Sequence, residues 1–457
     1  MRVSLTSLLL IAALLSRLGQ AQALPSSPSS CQIQPVDFEG WKAQEISNRW
    51  VRLTIVPQLG GRLMQISFAG HSYLFVNPRY RGQYIPPSEA KGRWINYGGD
   101  KIWPLPEGTD DEQHWALSSD ALDDGEYSFK ILSQNPRCSV QLEGPPDPRT
   151  GLQYLRVISL ENDSPEIRFH AVMRNTSGHS IQWSVQSVSQ YDLAKPDSSD
   201  YNHDFWAFTP VNPRSAYVGS FYVRSGLADD PSFRVRDRLF SLHWLYLDNE
   251  VWLDSDGGWV AIVDGSSQYA MVERFHYQAA AEYPGHATVI LYKNGPGIRM
   301  DDKGMPSLSA SSPDQTPYYM EAELNSPLVR LEPGQTYAMD TEWLPTRCAT
   351  DLQDVTDAGV VRKPLAVTSA ANGLTVSGSF GVFFPGRLIA RLYNARGREV
   401  GEESLGAADP ANAVDLHQTI PSDPAAARIS LHLVDRAGVD RGSLGEAVIP
   451  GADGDKH

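Results

Sequence analysis

The sequence has few cysteines and lacks the spacings of common metal and phosphate sites. Its 457 residues include three cysteines, Cys31, Cys138 and Cys348. Their separations do not match a zinc knuckle, and no signature around them indicates a cysteine nucleophile. An oxidising compartment would allow one disulfide; a Cys31–Cys348 bond would join the two ends of a main domain, but the pairing stays open. The glycine spacings of dinucleotide and Walker loops are absent. We therefore expect no metal and no cofactor.

Long apolar runs and basic blocks are also missing. Beyond the N-terminus, no stretch approaches the roughly 18 apolar residues that a membrane-spanning helix needs. The net charge is −15, and it becomes −17 without Arg2 and Arg17. A negative field of this size repels nucleic acid and anionic lipid. We therefore expect no nucleic-acid partner and no membrane anchor.

The N-terminus carries the three-part pattern of a secretory signal peptide. Arg2 supplies a positive charge, residues 8–15 form a short apolar run, and Ala-Gln-Ala at 21–23 is a small-x-small cleavage site. The alternative, a buried N-terminal helix, is disfavoured by Pro25 and the serine-rich tract after it. We predict that residues 1–23 are a signal peptide and that the mature protein is secreted or periplasmic.

Alternation of apolar and polar residues with a period of two predicts β-strands along most of the chain. In residues 51–56, Val51, Leu53 and Ile55 share one face, while Arg52 and Thr54 take the other. The same pattern recurs at 62–68, 154–160, 166–174, 181–190, 258–263, 270–275, 287–292, 318–324 and 335–344. A helical period is scarce, although residues 351–359 are a candidate for one short helix. These patterns predict an all-β fold built on a large antiparallel sandwich.

A change in composition near residues 347–364 predicts a domain boundary. The chain before it is rich in tryptophan and tyrosine, whereas tryptophan is absent after it. The length also exceeds that of one typical domain. We predict a main domain over residues 24–350, a small C-terminal β-sandwich over 364–450 and a disordered tail over 451–457.

The segment Asn-Tyr-Gly-Gly-Asp-Lys-Ile-Trp-Pro at residues 96–104 follows Trp94 closely. Asn96 and Lys101 supply polar groups, and Trp94 and Trp103 supply flat apolar faces. A sugar presents the complementary mixture of hydroxyl edges and a C–H face that stacks on aromatic rings. The alternative is an ordinary loop whose tryptophans fill the core.

Two further segments carry side chains suited to proton transfer. His203, within residues 201–206, has the side chain best suited to move a proton near neutral pH, although a surface-loop histidine is the alternative. In residues 318–327, alternation places Tyr319, Glu321 and Glu323 on one strand face. Two carboxylates there would raise one another's pKa and suit acid–base work, whereas the alternative is a solvated outer face.

These segments together resemble an uncharacterised bacterial family within the galactose mutarotase-like superfamily. The resemblance covers roughly residues 40–347. The motifs that carry it are Gly-Gly-Arg at 60–62, the 96–104 segment, Tyr-Pro at 283–284, Glu-Leu-Asn-Ser-Pro at 323–327, Leu-Glu-Pro-Gly at 331–334 and Thr-Glu-Trp at 341–343. It implies a large antiparallel supersandwich with a carbohydrate site in a concave sheet face.

The resemblance also implies roles for particular residues. In aldose 1-epimerases of the superfamily, a glutamate takes the proton of the anomeric hydroxyl and a histidine protonates the ring oxygen. The matching residues here are Glu323 and His203. The side chains expected to hold the sugar are Arg62, Asn96, Lys101, Trp103, Glu321 and Tyr319. The early Asn–Arg pair and first histidine of true mutarotases have no counterpart here.

Three functions remain open on this basis. The first is an exported aldose 1-epimerase-like isomerase acting by proton transfer. The second is a non-catalytic carbohydrate-binding protein. The third is a polysaccharide-cleaving glycosidase or lyase, although the helical domain that usually accompanies such lyases is absent. The expected partner is a mono- or oligosaccharide, and the sequence specifies neither the sugar nor the oligomeric state.

Overall fold

The computed structural model describes residues 30–109, 111, 113–197, 200–300, 306–308 and 315–451. The signal peptide predicted at residues 1–23 lies outside this part of the chain. So does the tail predicted at 451–457, apart from Gly451. Within the described part, no helix has the length and apolar composition needed to cross a membrane.

Strands dominate the described residues, and helices are few and short. The first strands are β1 Gln32–Phe38, β2 Trp41–Ser47, β3 Val51–Val56, β4 Arg62–Phe68, β5 His71–Ser72, β6 Asp100–Leu105, β7 Ser128–Ser133, β8 Arg137–Glu143, β9 Leu152–Glu161, β10 Ile167–Asn175 and β11 Ile181–Asp192. The next are β12 Phe205–Pro210, β13 Tyr222–Ser225, β14 Phe233–Arg236, β15 Leu239–His243, β16 Asn249–Leu253, β17 Trp259–Asp264, β18 Tyr269–Phe275, β19 Val289–Lys293, β20 Ile298–Met300, β21 Pro306–Leu308, β22 Tyr319–Asn325, β23 Val329–Leu331 and β24 Thr336–Arg347. The last are β25 Asp354–Val355, β26 Gly359–Ala370, β27 Gly373–Val382, β28 Gly386–Tyr393, β29 Glu399–Ala408, β30 Val414–Ile420, β31 Arg428–Asp435 and β32 Asp440–Val448. The helix α1 spans Pro87–Ala90, and 3-10 turns span Pro78–Tyr80, Val218–Ser220 and Pro284–His286.

Two large antiparallel sheets form the main sandwich. The twelve-stranded sheet follows the order β1-β2-β3-β4-β6-β11-β22-β19-β16-β13, with β5 and β23 paired at its sides. The ten-stranded sheet follows the order β14-β15-β12-β17-β18-β24-β10-β9-β8-β7. Apolar side chains from the facing sides of both sheets, such as Ile102, Leu324, Ile262 and Trp343, form one buried cluster. The prediction of an all-β fold with a large antiparallel sandwich is confirmed.

The C-terminal strands form a second, smaller sandwich that covers the far side of the ten-stranded sheet. Its two four-stranded sheets have the orders β25-β26-β27-β30 and β29-β28-β31-β32. Along β17, Val260 and Ile262 face the main core, while Trp259 and Val263 join a cluster with Phe383 of the smaller sandwich. Successive side chains of β17 therefore point alternately into the core of the main sandwich and into the core of the smaller one.

The short helix predicted at residues 351–359 is wrong. That segment contains β25, in which Val355 pairs with Val360 of β26. The Thr356 N–H donates to the Gly359 carbonyl across a tight hairpin turn. Hydrogen bonding of β25 to β26 therefore outweighs the weak helical pattern of residues 351–359.

The disulfide joins Cys31 to Cys138, with 5.8 Å between their Cα atoms. Cys31 precedes β1 of the twelve-stranded sheet and Cys138 lies in β8 of the ten-stranded sheet, so the bond ties the two sheets together. The Cys31–Cys348 pairing is not found. Cys348 is a buried free thiol, and burial raises its pKa to about 12.

A polar cluster lies between the two large sheets. Asp100 of β6 forms a buried ion pair with Arg156 of β9. Glu273 of β18 accepts hydrogen bonds from the hydroxyls of Ser189, at 2.7 Å, and Tyr191. Burial raises the pKa of Glu273 to about 8, because a charged carboxylate loses its hydration there. The folded state therefore favours the protonated form of the Glu273 carboxyl group.

We expect Glu273 to make stability depend on pH. Because its pKa is higher in the folded chain, its contribution is fullest at low pH and is lost as the pH rises from about 5 towards 8. The loss reaches at most about 1.4 kcal/mol per pH unit. Glu273→Gln keeps the acceptor oxygen but cannot ionise, so urea unfolding of this variant should show a flatter pH dependence. Glu402→Gln, at an exposed position of β29, is the control and should behave as wild type. Equal slopes for all three proteins would contradict the role of Glu273.

Candidate functional site

A cleft of about 330 Å³ opens on the outer face of the twelve-stranded sheet. Six strands that are consecutive in the sheet contribute to it, namely β6, β11, β22, β19, β16 and β13. The residues that line it are Trp94, Trp103, Leu105, Pro106, Glu107, Gly108, Leu117, Gln186, Arg224, Glu250, Trp252, Pro284, Gly285, Ile290, Tyr292, Tyr319, Glu321 and Glu323.

Strand register explains why these side chains meet. Residues directly opposite one another on antiparallel strands point to the same face of the sheet. Glu321 lies opposite Tyr292, which lies opposite Glu250. In the neighbouring row, Glu323 lies opposite Ile290, which lies opposite Trp252. The cleft floor is therefore built from two cross-strand rows.

The two glutamates of β22 are buried despite facing away from the main core. Glu321 is 6% exposed and Glu323 is 7% exposed, which excludes the solvated outer face considered from the sequence. Gln190 donates a side-chain hydrogen bond to Glu321, and Gln186 donates one to Glu323. Both glutamines lie on β11, directly beside β22 in the sheet. Burial of the carboxyl groups is thus compensated by amide donors from the adjacent strand.

The two carboxyl groups differ in their nearest charges. The Lys101 ammonium lies 3.6 Å from Glu321 and 4.1 Å from the centre of the Trp103 ring. Burial raises the pKa of Glu323 well above its ordinary value, and the charges of Glu321 and Glu250 raise it further. The Lys101 ammonium therefore lies directly beside Glu321, while burial favours the protonated form of Glu323.

Glu107 adds another titratable group to the same cleft. Burial raises its pKa to about 7, with smaller contributions from the charges of Glu250 and Glu321. The pKa of Glu250 is also raised, again mainly by burial. Arg224 opposes both shifts through its positive charge. The cleft therefore contains several carboxyl groups that gain protons more readily than carboxyls in water.

Two indoles form one wall, and a single carboxylate holds both. Asp123 accepts a hydrogen bond from Trp103 Nε1 at 2.7 Å and another from Trp94 Nε1 at 3.1 Å. Its Oδ1 atom also accepts from an Arg62 guanidinium nitrogen at 2.6 Å, and Asp124 contacts the same nitrogen at 3.1 Å. Arg62 is fully buried and does not line the cleft. The structure therefore places Arg62 behind the wall, where it supports Asp123, and not in contact with the cleft as the sequence suggested.

The glycine-rich segment positions the wall through its backbone. Gly98 has a φ of +92°, and a Cβ atom there would lie 2.1 Å from the Phe75 carbonyl oxygen, so a side chain would not fit. Asn96 Oδ1 accepts from the Gly98 N–H at 3.0 Å, and Asn77 donates to the Asn96 carbonyl at 2.8 Å. Asn96 is not among the cleft-lining residues. Its side chain shapes the loop that leads into β6.

His203 lies outside the cleft. It is exposed in the loop before β12 of the ten-stranded sheet, and its Nε2 atom lies 2.7 Å from Asp200 Oδ2. No histidine is among the described residues that line the cleft. The structure therefore does not bring His203 and Glu323 together, because the chain crosses to the other sheet after β11 ends at Asp192.

Eight residues were selected from the sequence as catalytic or sugar-binding. Four of them line the cleft, namely Trp103, Tyr319, Glu321 and Glu323. Lys101 is buried directly beside two of them. Sequence reasoning missed Gln186, Glu250, Trp252, Tyr292, Arg224 and Asp123. Alternation in residues 249–253 does place Glu250 and Trp252 on one face, but only the strand order shows that this face adjoins β22.

Comparisons with known proteins concern the fold. No family model matches the chain, and no curated protein matches it. A galactose mutarotase-like protein from Clostridium acetobutylicum is 12% identical over 70% of this chain and 99% of its own, with a TM-score of 0.45. One from Lactobacillus casei is 10% identical over 68% of this chain and 99% of its own, with a TM-score of 0.40. A TPR-domain containing protein from Parabacteroides distasonis is 13% identical over 69% of this chain, with a TM-score of 0.43, and the chain spans 53% of its length. Similarity at this level carries no argument about activity or substrate.

We expect Asp123→Asn to loosen the indole wall. Asparagine keeps one acceptor oxygen but presents an NH₂ group to Arg62 or Trp94, which are both donors. Breaking this buried pair should lower the free energy of unfolding by about 3 kcal/mol. Urea unfolding measures that loss, and ¹⁵N-resolved NMR of the indole N–H groups should show faster solvent exchange at Trp94 and Trp103.

Asp229→Asn provides the control for this measurement, since Asp229 is exposed and distant in sequence from the wall. Phenylalanine variants at positions 94 and 103 assign the two indole signals. Unchanged stability together with unchanged indole exchange in Asp123→Asn would contradict the proposed support of the wall.

Proposed function

We propose that the cleft binds the ring of a carbohydrate. The observation that carries this proposal is the pairing of an indole wall with a row of buried polar side chains on one sheet face. The C–H face of a sugar stacks on aromatic rings, while its hydroxyls bond to carboxylate, amide and ammonium groups. A volume of about 330 Å³ suits one small ring.

Unused hydrogen-bonding atoms at the floor and beside it support this proposal. Lys101 Nζ, Gln186 Oε1 and Gln190 Oε1 are buried and make no hydrogen bond within the described residues. Buried polar atoms usually have partners, so the Oε1 atom of Gln186, which lines the cleft, is suited to a ligand hydroxyl. Lys101 and Gln190 are not among the cleft-lining residues, and their atoms lie beside Glu321. Donors and acceptors both occur there, as recognition of hydroxyl groups requires.

Calorimetric titration with a panel of neutral, amino and acidic monosaccharides tests this proposal. We expect at least one sugar to bind, and Glu321→Gln to weaken its affinity by about 10- to 100-fold, because a hydrogen bond to a charged group is lost. Glu402→Gln should bind as wild type. If no sugar binds, or if Glu321→Gln leaves the affinity unchanged, the proposal fails.

A second candidate is catalysis of anomer interconversion, as in aldose 1-epimerases. It is favoured by the different environments of Glu321 and Glu323. Glu321, beside the Lys101 ammonium, would take the proton of the anomeric hydroxyl while the C1–ring oxygen bond breaks. Glu323 would deliver its proton to the ring oxygen. Rotation about the C1–C2 bond and the reverse transfers would then close the other anomer.

The side-by-side placement of the pair on one strand supports this chemistry over glycoside cleavage. Residues i and i+2 of a strand are about 7 Å apart along the chain and lie side by side. The anomeric hydroxyl and the ring oxygen are bonded to the same carbon, so adjacent carboxyl groups can reach both. Glycosidases instead place two carboxyl groups on either side of the scissile bond. In this proposal Glu323 is the acid in place of His203. The resemblance implied instead that Glu323 is the base.

One-dimensional proton NMR of freshly dissolved α-anomers of glucose, galactose, xylose and fucose tests catalysis. Wild type should accelerate α/β equilibration, and Glu323→Gln should lower the rate by about 100-fold or more, because the proton donor is lost. The wild-type rate should fall as the pH rises above the raised pKa of Glu323. Glu402→Gln should match wild type. Binding without acceleration would exclude the epimerase and leave a carbohydrate-binding protein.

We also propose that the protein is exported. The N-terminal charge, apolar run and cleavage pattern support this localisation. The Cys31–Cys138 disulfide supports it independently, because such bonds persist in oxidising compartments.

A further inference from the structure

Three aromatic rings continue from the cleft to the edge of the twelve-stranded sheet. Trp252 lines the cleft, and its register partner on the edge strand β13 is Tyr222. The centroids of these two rings are 6.2 Å apart. Tyr217 follows, with its ring centroid 5.9 Å from that of Tyr222. We call Trp252, Tyr222 and Tyr217 the edge aromatic strip.

The strip is not explained by packing of the main core. Val251 and Leu253 of β16 face the core, so Trp252 between them faces outward with Tyr222. Tyr222 is 47% exposed, and Val218 beside Tyr217 is fully exposed. Exposed large apolar side chains in a continuous patch mark sites of ligand or partner contact.

Neighbouring groups hold the rings of the strip in place. Trp252 Nε1 donates to Glu250, and Tyr217 donates its hydroxyl to the Gly285 carbonyl. Gly285 has a φ of +56°, and a Cβ atom there would lie 2.1 Å from the Trp252 ring. The 284–286 turn therefore packs directly on one side of Trp252. Trp252 and Tyr217, fixed in this way, present aromatic surface at a lower entropy cost on binding.

Polar groups accompany the strip along its length. Arg224 lines the cleft, and its guanidinium carbon lies 5.9 Å from the Trp252 ring centroid. Glu250, which accepts from Trp252 Nε1, also lines the cleft. The Tyr222 hydroxyl adds a donor and an acceptor further out. This mixture of stacking surface and hydrogen-bonding groups matches the chemistry already described for the cleft.

We propose that the cleft and the edge aromatic strip together bind an oligosaccharide, with one unit in the cleft and the following units on Trp252, Tyr222 and Tyr217. This inference rests on the proposed carbohydrate function and specifies its substrate class. The cleft volume accommodates about one ring, so further units of a chain must leave it, and the strip begins where they would leave.

A second copy of the protein is the competing occupant of the strip. A stable dimer interface buries about 800 Å² on each partner. Three rings, of which Tyr217 and Trp252 are already partly buried, supply only part of that area. Continuity with a cleft that holds unpaired polar atoms favours a sugar chain.

Calorimetric titration with xylo-, cello-, manno- and malto-oligosaccharides of one to six units tests the inference. For the series that binds, wild-type affinity should rise from one unit to three. Tyr222→Ala should lower trisaccharide affinity about tenfold while leaving monosaccharide affinity unchanged. Tyr222→Phe, which keeps the ring, should retain the chain-length dependence. Tyr393→Ala, in β28 of the smaller sandwich, is the matched control.

The outcomes separate this inference from the proposed function. Affinity that is independent of chain length, but lost in Glu321→Gln, would overturn the oligosaccharide inference and keep the sugar-binding cleft. An equal loss for mono- and trisaccharides in Tyr222→Ala would also overturn it. Light scattering that shows a wild-type dimer converted to a monomer by Tyr222→Ala would assign the strip to contact between copies. Absence of binding at every chain length would overturn both proposals.

Discussion

Arg62 and Asp123 form a buried ion pair on which the geometry of the cleft depends. An uncompensated charge at the Arg62 position would be strongly destabilising, so Asp123 and Asp124 must remain close to the guanidinium. The same Asp123 carboxylate then fixes both Trp94 and Trp103 through their N–H groups. Because the Asp123 carboxylate accepts hydrogen bonds from Arg62, Trp94 and Trp103, it has little freedom to move. The wall that would stack on a ligand is thereby oriented by a charge pair that the ligand does not touch.

The floor depends on a second constraint, which is the register of β11 against β22. Glu321 and Glu323 are buried among side chains on the outer face, where an unpaired carboxyl would be costly. Gln190 lies opposite Glu321, and β11 also carries Gln186 within reach of Glu323. A slip of one residue would turn these amides towards the apolar core and remove both donors. The same register of β11 and β22 therefore stabilises the sheet and positions the side chains of the cleft floor.

Sequence alternation was sufficient to predict the all-β fold and the shared face of Tyr319, Glu321 and Glu323, because both follow from the period of a single strand. It could not predict which strands adjoin β22, since β11 comes from a distant part of the chain and β19 is separated from β22 by residues 294–318. Gln186 and Tyr292 were missed for that reason. Arg62 was misplaced because its burial depends on Asp123 in a loop without periodicity. His203 was selected because its side chain suits proton transfer and because the resemblance implied a histidine. Its place in the loop before β12 depends on a crossover that no local pattern reports.

The smaller sandwich explains why the cleft lies on the twelve-stranded sheet. A two-layer sandwich has two outer faces, and each must be polar or covered. Trp259 and Val263 make the outer face of the ten-stranded sheet apolar, and the C-terminal strands cover it. The outer face of the twelve-stranded sheet instead carries paired glutamates, glutamines and a lysine between aromatic rings. Because hydrogen bonds and ion pairs compensate these groups without a covering domain, this face can stay open to a ligand.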